Sequence, residues 1–302
     1  MINFLQGDVF DKLKELDNNS IDCVVTSPPY WGLRDYGVPG QLGLEPTYQE
    51  HIQNIVELFR AMKPKLKDSA TVWLNYGDSY AGTVNGTKAK DIKNDDRGFV
   101  DKPFGTIQGS LKPKDLVMIP NRIAIALQDD GWWIRSEIIW HKPNPMPEST
   151  KDRPTSAHEK IWLITKNKKY YYDADAIREP CTTFDSNIRD RDTTKLNNTP
   201  GRTRMAGLKK NNYTFKNKRN VWTISTKPFK DAHFATFPKD LIEPCIKAGC
   251  PENGIVLDPF GGSGTTGIVA QSLNRKSIMI ELNPEYIKIA KKRIEKELGL
   301  FG

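Results

Sequence analysis

The sequence is poor in groups that bind metals or form cross-links. Its 302 residues include four cysteines and four histidines. Cys23, Cys181, Cys245 and Cys250 form no C-x-x-C pair and read as reduced thiols of a cytoplasmic protein. The histidines are equally scattered, so no metal site is expected. No apolar run is long enough to span a membrane. The stretch from Met1 to Asp8 has no basic region and no small-residue cleavage site, so no export signal is expected. There is no internal repeat. What the chain does have is positive charge, a formal +8, which favours a polyanionic partner. The length allows two average domains or one large α/β domain with insertions.

Two stretches carry the chemistry. In the first, the β-branched run Ile21-Asp22-Cys23-Val24-Val25 reads as a buried strand and runs into Thr26-Ser27-Pro28-Pro29-Tyr30-Trp31. Two prolines fix φ and remove two N–H donors, so the strand has a rigid exit with carbonyl acceptors. A hydroxyl (Ser27), a carbonyl (Pro28) and an aromatic face (Tyr30) suit a planar group bearing an NH2. The ordinary alternative is a proline-rich strand exit with a chance tyrosine. In the second stretch, Ile255-Val256-Leu257 leads into Asp258-Pro259-Phe260-Gly261-Gly262-Ser263-Gly264-Thr265-Thr266. This reads as a strand, a glycine-rich turn and a helix start, where backbone can approach a ligand closely. No Gly-Lys-Ser/Thr follows, which argues against a triphosphate loop. The strand Ser277–Ile280 then ends in Glu281, placed to take ribose hydroxyls.

Together these stretches resemble the S-adenosylmethionine-dependent amino methyltransferases of DNA. That family has a D/N/S-P-P-Y/F/W catalytic motif and a D-P-F-x-G-x-G-T cofactor motif. Both are complete here, at Ser27–Tyr30 and Asp258–Thr265. The catalytic motif comes first, which is the permuted order of the beta group. The resemblance implies a Rossmann-like fold with a mostly parallel seven-stranded sheet of order 3-2-1-4-5-7-6 and helices on both faces. The ends of strands 1 and 4 would meet at the switch point, bringing the two motifs into one crevice. It also implies S-adenosyl-L-methionine as cofactor, double-stranded DNA as partner, and a restriction endonuclease acting separately on the same sequence. The protein would be a monomer or a homodimer. Asp8 would bond the adenine of the cofactor, although its ordinary role is that of a helix N-cap. Phe237, in a segment resembling the F-P motif of the family, would lie beside the methionine part.

The rest of the chain fits around these stretches. Asp8 starts a helix carrying Phe10, Leu13 and Leu16. The run Trp31 to Gly40 reads as a mobile lid, in which Trp31, Arg34 and Tyr36 are candidate DNA contacts. Thr47-Tyr48-Gln49-Glu50 is a capping box opening a helix with Ile52, Ile55, Phe59, Met62 and Leu66 inward. A strand covers Ala70–Asn75. Residues 79–112 are rich in Gly, Lys, Asp, Asn and Thr, and read as a flexible insertion. A helix over 120–127 is followed by strands over 133–140 and 160–164, with the proline-rich loop 141–147 between them. From Tyr170 to Arg219 the stretch is basic and aromatic. Arg189, Arg191, Arg202, Arg204, Lys209 and Lys210 are candidate DNA contacts there, since basic residues neutralise phosphates and aromatics stack on bases. The family places its target-recognition region at this point, although a solvated surface is the plainer alternative. The expected organisation is thus a catalytic half (1–169), a recognition region (170–220) and a cofactor half (221–302). Pro238 should occupy the first turn of a helix, and a last helix should run from Asn283-Pro284 to Gly299.

Serine in the first motif position favours cytosine N4 in this family, whereas aspartate is usual for adenine N6. The exocyclic amine is a poor nucleophile, because its lone pair is delocalised. Two acceptors, Ser27 Oγ and the Pro28 carbonyl, would localise it. Tyr30 would stack on the base. Adenine N6 remains the alternative. Carbon-5 methylation needs a Pro-Cys nucleophile in a matching loop, which is not visible. An inactive methyltransferase-like DNA-binding module and a protein glutamine methyltransferase are more distant readings.

Overall fold

The computed structural model describes residues 1–82, 100–181, 214–226 and 237–299. The chain begins with strand β1 (Ile2–Gln6), helix α1 (Val9–Lys14) and strand β2 (Ile21–Thr26). A two-residue strand β3 (Arg34–Asp35) precedes helix α2 (Tyr48–Met62) and the long strand β4 (Leu66–Tyr76). After the short β5 (Val100–Asp101) come helix α3 (Ile119–Asp129), β6 (Trp133–His141) and β7 (His158–Thr165). The short β8 (Glu179–Pro180) and β9 (Phe215–Lys216) lead to β10 (Val221–Thr223). The C-terminal part is α4 (Lys239–Gly249), β11 (Ile255–Asp258), α5 (Thr265–Ser272), β12 (Lys276–Glu281) and α6 (Pro284–Leu298).

The main sheet has the order β1-β12-β11-β2-β4-β7-β6-β10. β7 runs antiparallel to both β4 and β6, and the other pairings are parallel. The first seven positions reproduce the expected order. The sheet nevertheless has eight strands, not seven. The extra one is β10, which pairs with β6 as Val221↔Ile139 to Thr223↔His141 and covers an otherwise open edge. Every residue of β2 is buried, as a strand covered on both faces requires. Helix α2 contacts both α1 and α3, and α5 contacts both α4 and α6.

Local chemistry explains the element ends. The Thr47 side chain accepts from Glu50 N at 3.1 Å, so the capping box starts α2 as expected. The amphipathic pattern places Ile55, Phe59 and Met62 in the core. Leu66 is also buried, but as the first residue of β4; Pro64 lies in a one-turn 3-10 segment that ends the helix before it. Asn283 caps α6, and Gly299 terminates it at φ +61°. Pro238 is the N-cap residue of α4, one position ahead of the expected first turn.

The insertion is less loose than its composition suggests. Residues 83–99 lie outside the described residues. Its C-terminal portion is held in place, with Thr106 N bonded to Gly82 O at 2.9 Å and Leu111 and Thr106 buried. Tyr80 bridges to Leu116, and Val117 N bonds to Ser79 O at 2.9 Å. Two apolar anchors, Phe104 and Leu111, achieve what the surrounding polar residues could not. The expected lid is also tied down, since β3 pairs with β5.

By contacts the chain divides into a large unit (1–173 and 220–302) and a small one (174–219). The small unit contains the antiparallel β8–β9 pair, and Glu179 forms ion pairs with Lys216 and Arg219. Tyr170, Tyr171 and Tyr172 belong to the large unit, where Tyr172 stacks on Trp73. Arg189, Arg191, Arg202, Arg204, Lys209 and Lys210 lie outside the described residues.

Candidate active site

At the ends of β2 and β11 a cavity of about 460 Å³ opens. It lies at the switch point of the sheet, where ligands of open α/β folds bind. Ser27, Pro28, Pro29 and Tyr30 line one part of it, and Asp258 through Ser263 with Thr265 line another. Motifs more than 200 residues apart therefore share one site. Asp258 makes the link. Its Oδ1 accepts from Thr26 Oγ1 at 3.0 Å and from Phe260 N at 3.1 Å, and Oδ2 accepts from Thr266 Oγ1 at 2.6 Å. The group is buried, and burial pushes its pKa up to about 7 despite these donors. Asp258 is thus the tie between the catalytic and glycine-rich turns, with both oxygens already engaged.

The glycine-rich turn is shaped by its neighbours. Gly264 is the N-cap of α5 at φ +77°, and a Cβ there would fall 3.1 Å from Ala290 Cβ. It does not line the cavity, so its role is to form the turn. Arg293 of α6 clamps the turn from behind, donating to Ser263 Oγ at 3.0 Å, Ser263 O at 3.2 Å and Thr265 Oγ1 at 2.8 Å. Nothing in the sequence marked Arg293, because it lies on a helix whose pattern announces only an apolar face. Glu281 Oε2 accepts from Gly262 N at 2.8 Å and Oε1 from Asn283 N at 2.8 Å. Burial raises its pKa against these backbone donors. A carboxylate has about four lone-pair sites, so two remain for ligand hydroxyls.

Asp8 lines the same cavity and caps α1, accepting from Phe10 N at 2.8 Å and Asp11 N at 3.3 Å. Both bonds go to Oδ1, which leaves Oδ2 for a ligand donor. Phe237 and Phe260 supply apolar walls. A part-buried acid that lines one cavity with two aromatic rings and Glu281 fits a group carrying a ribose and a purine. Arg34 and Tyr36 also line this cavity, and Tyr36 packs edge-on against Tyr286 at 6.1 Å. Trp31 does not line it. The indole is 2 % exposed, donates to Glu45 O at 2.9 Å, and packs edge-on against Tyr48 and Phe104. This corrects the expected DNA contact: a buried ring cannot reach a duplex without unpacking the core.

Beneath the catalytic turn lies a buried polar chain absent from the sequence reading. His51 of α2, fully buried, has Nδ1 at 2.9 Å from Glu45 Oε2 and Nε2 at 2.7 Å from the Tyr76 hydroxyl. Glu45 Oε2 accepts from Nδ1, and Nε2 shares a second bond with the Tyr76 hydroxyl. The Tyr76 oxygen in turn accepts from Trp31 N at 2.9 Å, and its ring stacks on Tyr30 at 4.4 Å. The catalytic turn is thereby pinned, and one face of Tyr30 is taken.

The Tyr30 hydroxyl is also engaged. It accepts from Ser27 Oγ at 3.3 Å and donates to Glu159 Oε2 at 2.9 Å. Asn75 Nδ2 donates to the same Glu159 oxygen at 3.1 Å, and Lys142 pairs with Oε1. Lys142 also lies 4.3 Å from the Trp140 ring centroid. Burial, then the Glu159 charge, raises the Tyr30 phenol well above its ordinary range.

Among the described residues no group of three or more His, Cys, Asp or Glu could hold a metal ion, and no helix is long and apolar enough to cross a membrane. The chain has two Pro-Cys pairs. Pro180-Cys181 stands at the end of β8 in the small unit, and Pro244-Cys245 lies inside α4 with Cys245 buried.

Comparison with known proteins agrees with this geometry. The DNA methylase family matches residues 21–292. The type II methyltransferase M.Cfr9I of Citrobacter freundii is 46 % identical over 292 residues, covering 97 % of this chain and 87 % of the relative. M.SmaI of Serratia marcescens is 46 % identical over 288 residues, covering 95 % and 89 %. Among solved structures, the PvuII DNA methyltransferase (cytosine-N4-specific) superposes with a TM-score of 0.66 at 21 % identity, covering 97 % of this chain and 86 % of that one. The M1.HpyAVI–SAM complex gives 0.58 at 20 % identity, covering 97 % and 99 %.

Proposed function

The chain belongs to the DNA methylase family, and from that premise we propose that it methylates the exocyclic N4 amine of cytosine in double-stranded DNA. The observation that carries the reading is Ser27, whose hydroxyl stands in the same cavity as Glu281 and the glycine-rich turn. S-adenosyl-L-methionine is the cofactor, and when bound it supplies an electrophilic methyl group. Asp8, Phe237, Phe260 and Glu281 would hold it.

The protein does the rest by placement. Ser27 Oγ and the Pro28 carbonyl accept from the target amine and localise its lone pair. Holding the amine in line is itself a large part of the rate gain. The free face of Tyr30 receives the ring of a base that has left the duplex. A serine hydroxyl in place of a carboxylate favours cytosine. Arg34 and Tyr36 meet the displaced strand near the cavity mouth. The basic segment 170–220 chooses the DNA sequence, and a separate endonuclease would cleave the same sequence when unmodified.

Glu281→Ala should weaken cofactor binding by about 1–3 kcal/mol, the worth of a hydrogen bond to a charged group. Calorimetry on the folded variant checks this, and unchanged affinity would place the ribose elsewhere. The function itself is tested by sequencing native DNA from cells that express the protein. Modified cytosine within one recurring short sequence is expected. Modification of adenine alone would favour the N6 alternative.

A further inference from the structure

Methyl transfer leaves the target nitrogen with one proton too many, and Ser27 alone has nowhere to send it. We propose that Glu159 is the final acceptor of that proton, reached through Ser27 and Tyr30. This rests on the reading of Ser27 and Tyr30 given above.

The hydrogen bonds run in one direction. Ser27 Oγ–H donates to the Tyr30 oxygen at 3.3 Å, and Tyr30 O–H donates to Glu159 Oε2 at 2.9 Å. The lone pairs of Ser27 are left to face the cavity. When the nitrogen gains the methyl group, one N–H bond breaks and its electron pair stays on nitrogen. Ser27 Oγ takes that proton and passes its own to Tyr30, which passes its own to Glu159. The carboxylate ends as a neutral acid, both hydroxyls are restored, and no oxidant or reductant is needed. Tyr30 conducts without storing charge, because its phenol resists ionisation.

The surroundings hold this line in place. Asn75 and Lys142 fix Glu159 from two sides, and Tyr76 fixes the ring of Tyr30. At Gly77 a Cβ would fall 2.7 Å from Tyr30 Cε2 and 3.3 Å from Glu159 Cγ, so only a glycine there lets the two approach. The Glu159 and Lys142 side chains line the same cavity and are mostly buried, at 18 % and 19 % exposed. In this relay Glu159 acts through Tyr30, to which it is bonded. It positions and drains the relay through Tyr30.

The test uses Glu159→Gln, which can still accept from Tyr30 but cannot take its proton, and Tyr30→Phe, which keeps the ring and cuts the line. Single-turnover methylation of a cognate duplex should slow by about 100-fold in each, the low end of the range of proton-transfer catalysis. Cofactor and DNA affinities, measured by calorimetry, should stay near wild type. The ionisable groups in contact with Glu159 are Lys142 and Tyr30. With the acceptor removed, the Glu159→Gln rate should climb with pH as hydroxide takes the proton, over a range where wild type is flat. Glu159→Asp should recover part of the rate, and the double variant should be no slower than the slower single one. A Glu159→Gln enzyme at wild-type rate, or one slowed with no change in pH profile, would overturn the relay while a slow Ser27→Ala leaves the functional reading intact. Full activity in Ser27→Ala would instead defeat the functional reading itself.

Discussion

Ser27→Ala should lower the methylation rate by roughly 100-fold or more, the scale of losing a group that acts mainly in the transition state. The hydroxyl sits at a strand exit and not in the core, so folding should be unaffected. Cofactor binding should change little, because the Ser27 side chain bonds to Tyr30, whereas the cofactor is read as held by Glu281 and Asp8. The loss belongs in the chemical step, where the bond to the amine strengthens as nitrogen becomes pyramidal. Stopped single turnovers with saturating DNA and cofactor separate this from binding. A variant with normal turnover and weak DNA binding would make Ser27 a recognition residue.

The second large effect is expected at Asp258. Its two oxygens hold Thr26, Thr266 and Phe260 N, and so join the two halves of the site. In Asp258→Ala each buried donor left without a partner costs about 1–3 kcal/mol. A loss on the order of 3 kcal/mol should lower Tm by roughly 5 °C in a chain of this size. Cofactor binding should weaken as well, since the turn that Asp258 anchors lines the cavity. Scanning calorimetry with cofactor titration reads both effects.

The same residue has a pH signature. Burial raises its pKa in the folded chain to about 7, above the ordinary 3.8 of an unfolded aspartate. The folded state therefore holds this proton longer than the unfolded state. The stability it contributes is complete below about pH 4 and is lost as pH rises through 7. Asp258→Asn should flatten that part of the curve of Tm against pH.

The fold was legible because the elements that build it carry strong local signals. The apolar runs at 21–25 and 255–257, the box at Thr47–Glu50 and the cap at Asn283 each state an element and one of its ends. The two motifs at strand exits were readable as one site because the permuted order brings those strands together. The eighth strand was not legible, since Val221-Trp222-Thr223 is three residues long and gains its definition from pairing with β6. Trp31 was misplaced for a similar reason. In a glycine-rich run an aromatic looks exposed, whereas Tyr48 and Phe104, distant in sequence, pack against it. His51, Asn75, Lys142 and Glu159 form no pattern along the chain. Glu159 falls one residue before the apolar run that marked its strand. The meeting of Asn75, Lys142 and Glu159 depends on the β4–β7–β6 register, which places Tyr76 against Lys160 and Trp140 against Glu159.

The most direct measurement is mass spectrometry of nucleosides from duplex DNA treated with the purified protein and S-adenosyl-L-methionine, with Ser27→Ala as the control. N4-methylcytosine from the wild type, strongly reduced in the variant, is the expected result. N6-methyladenine as the sole product, or no methylated nucleoside from a folded protein that binds the cofactor, would contradict it.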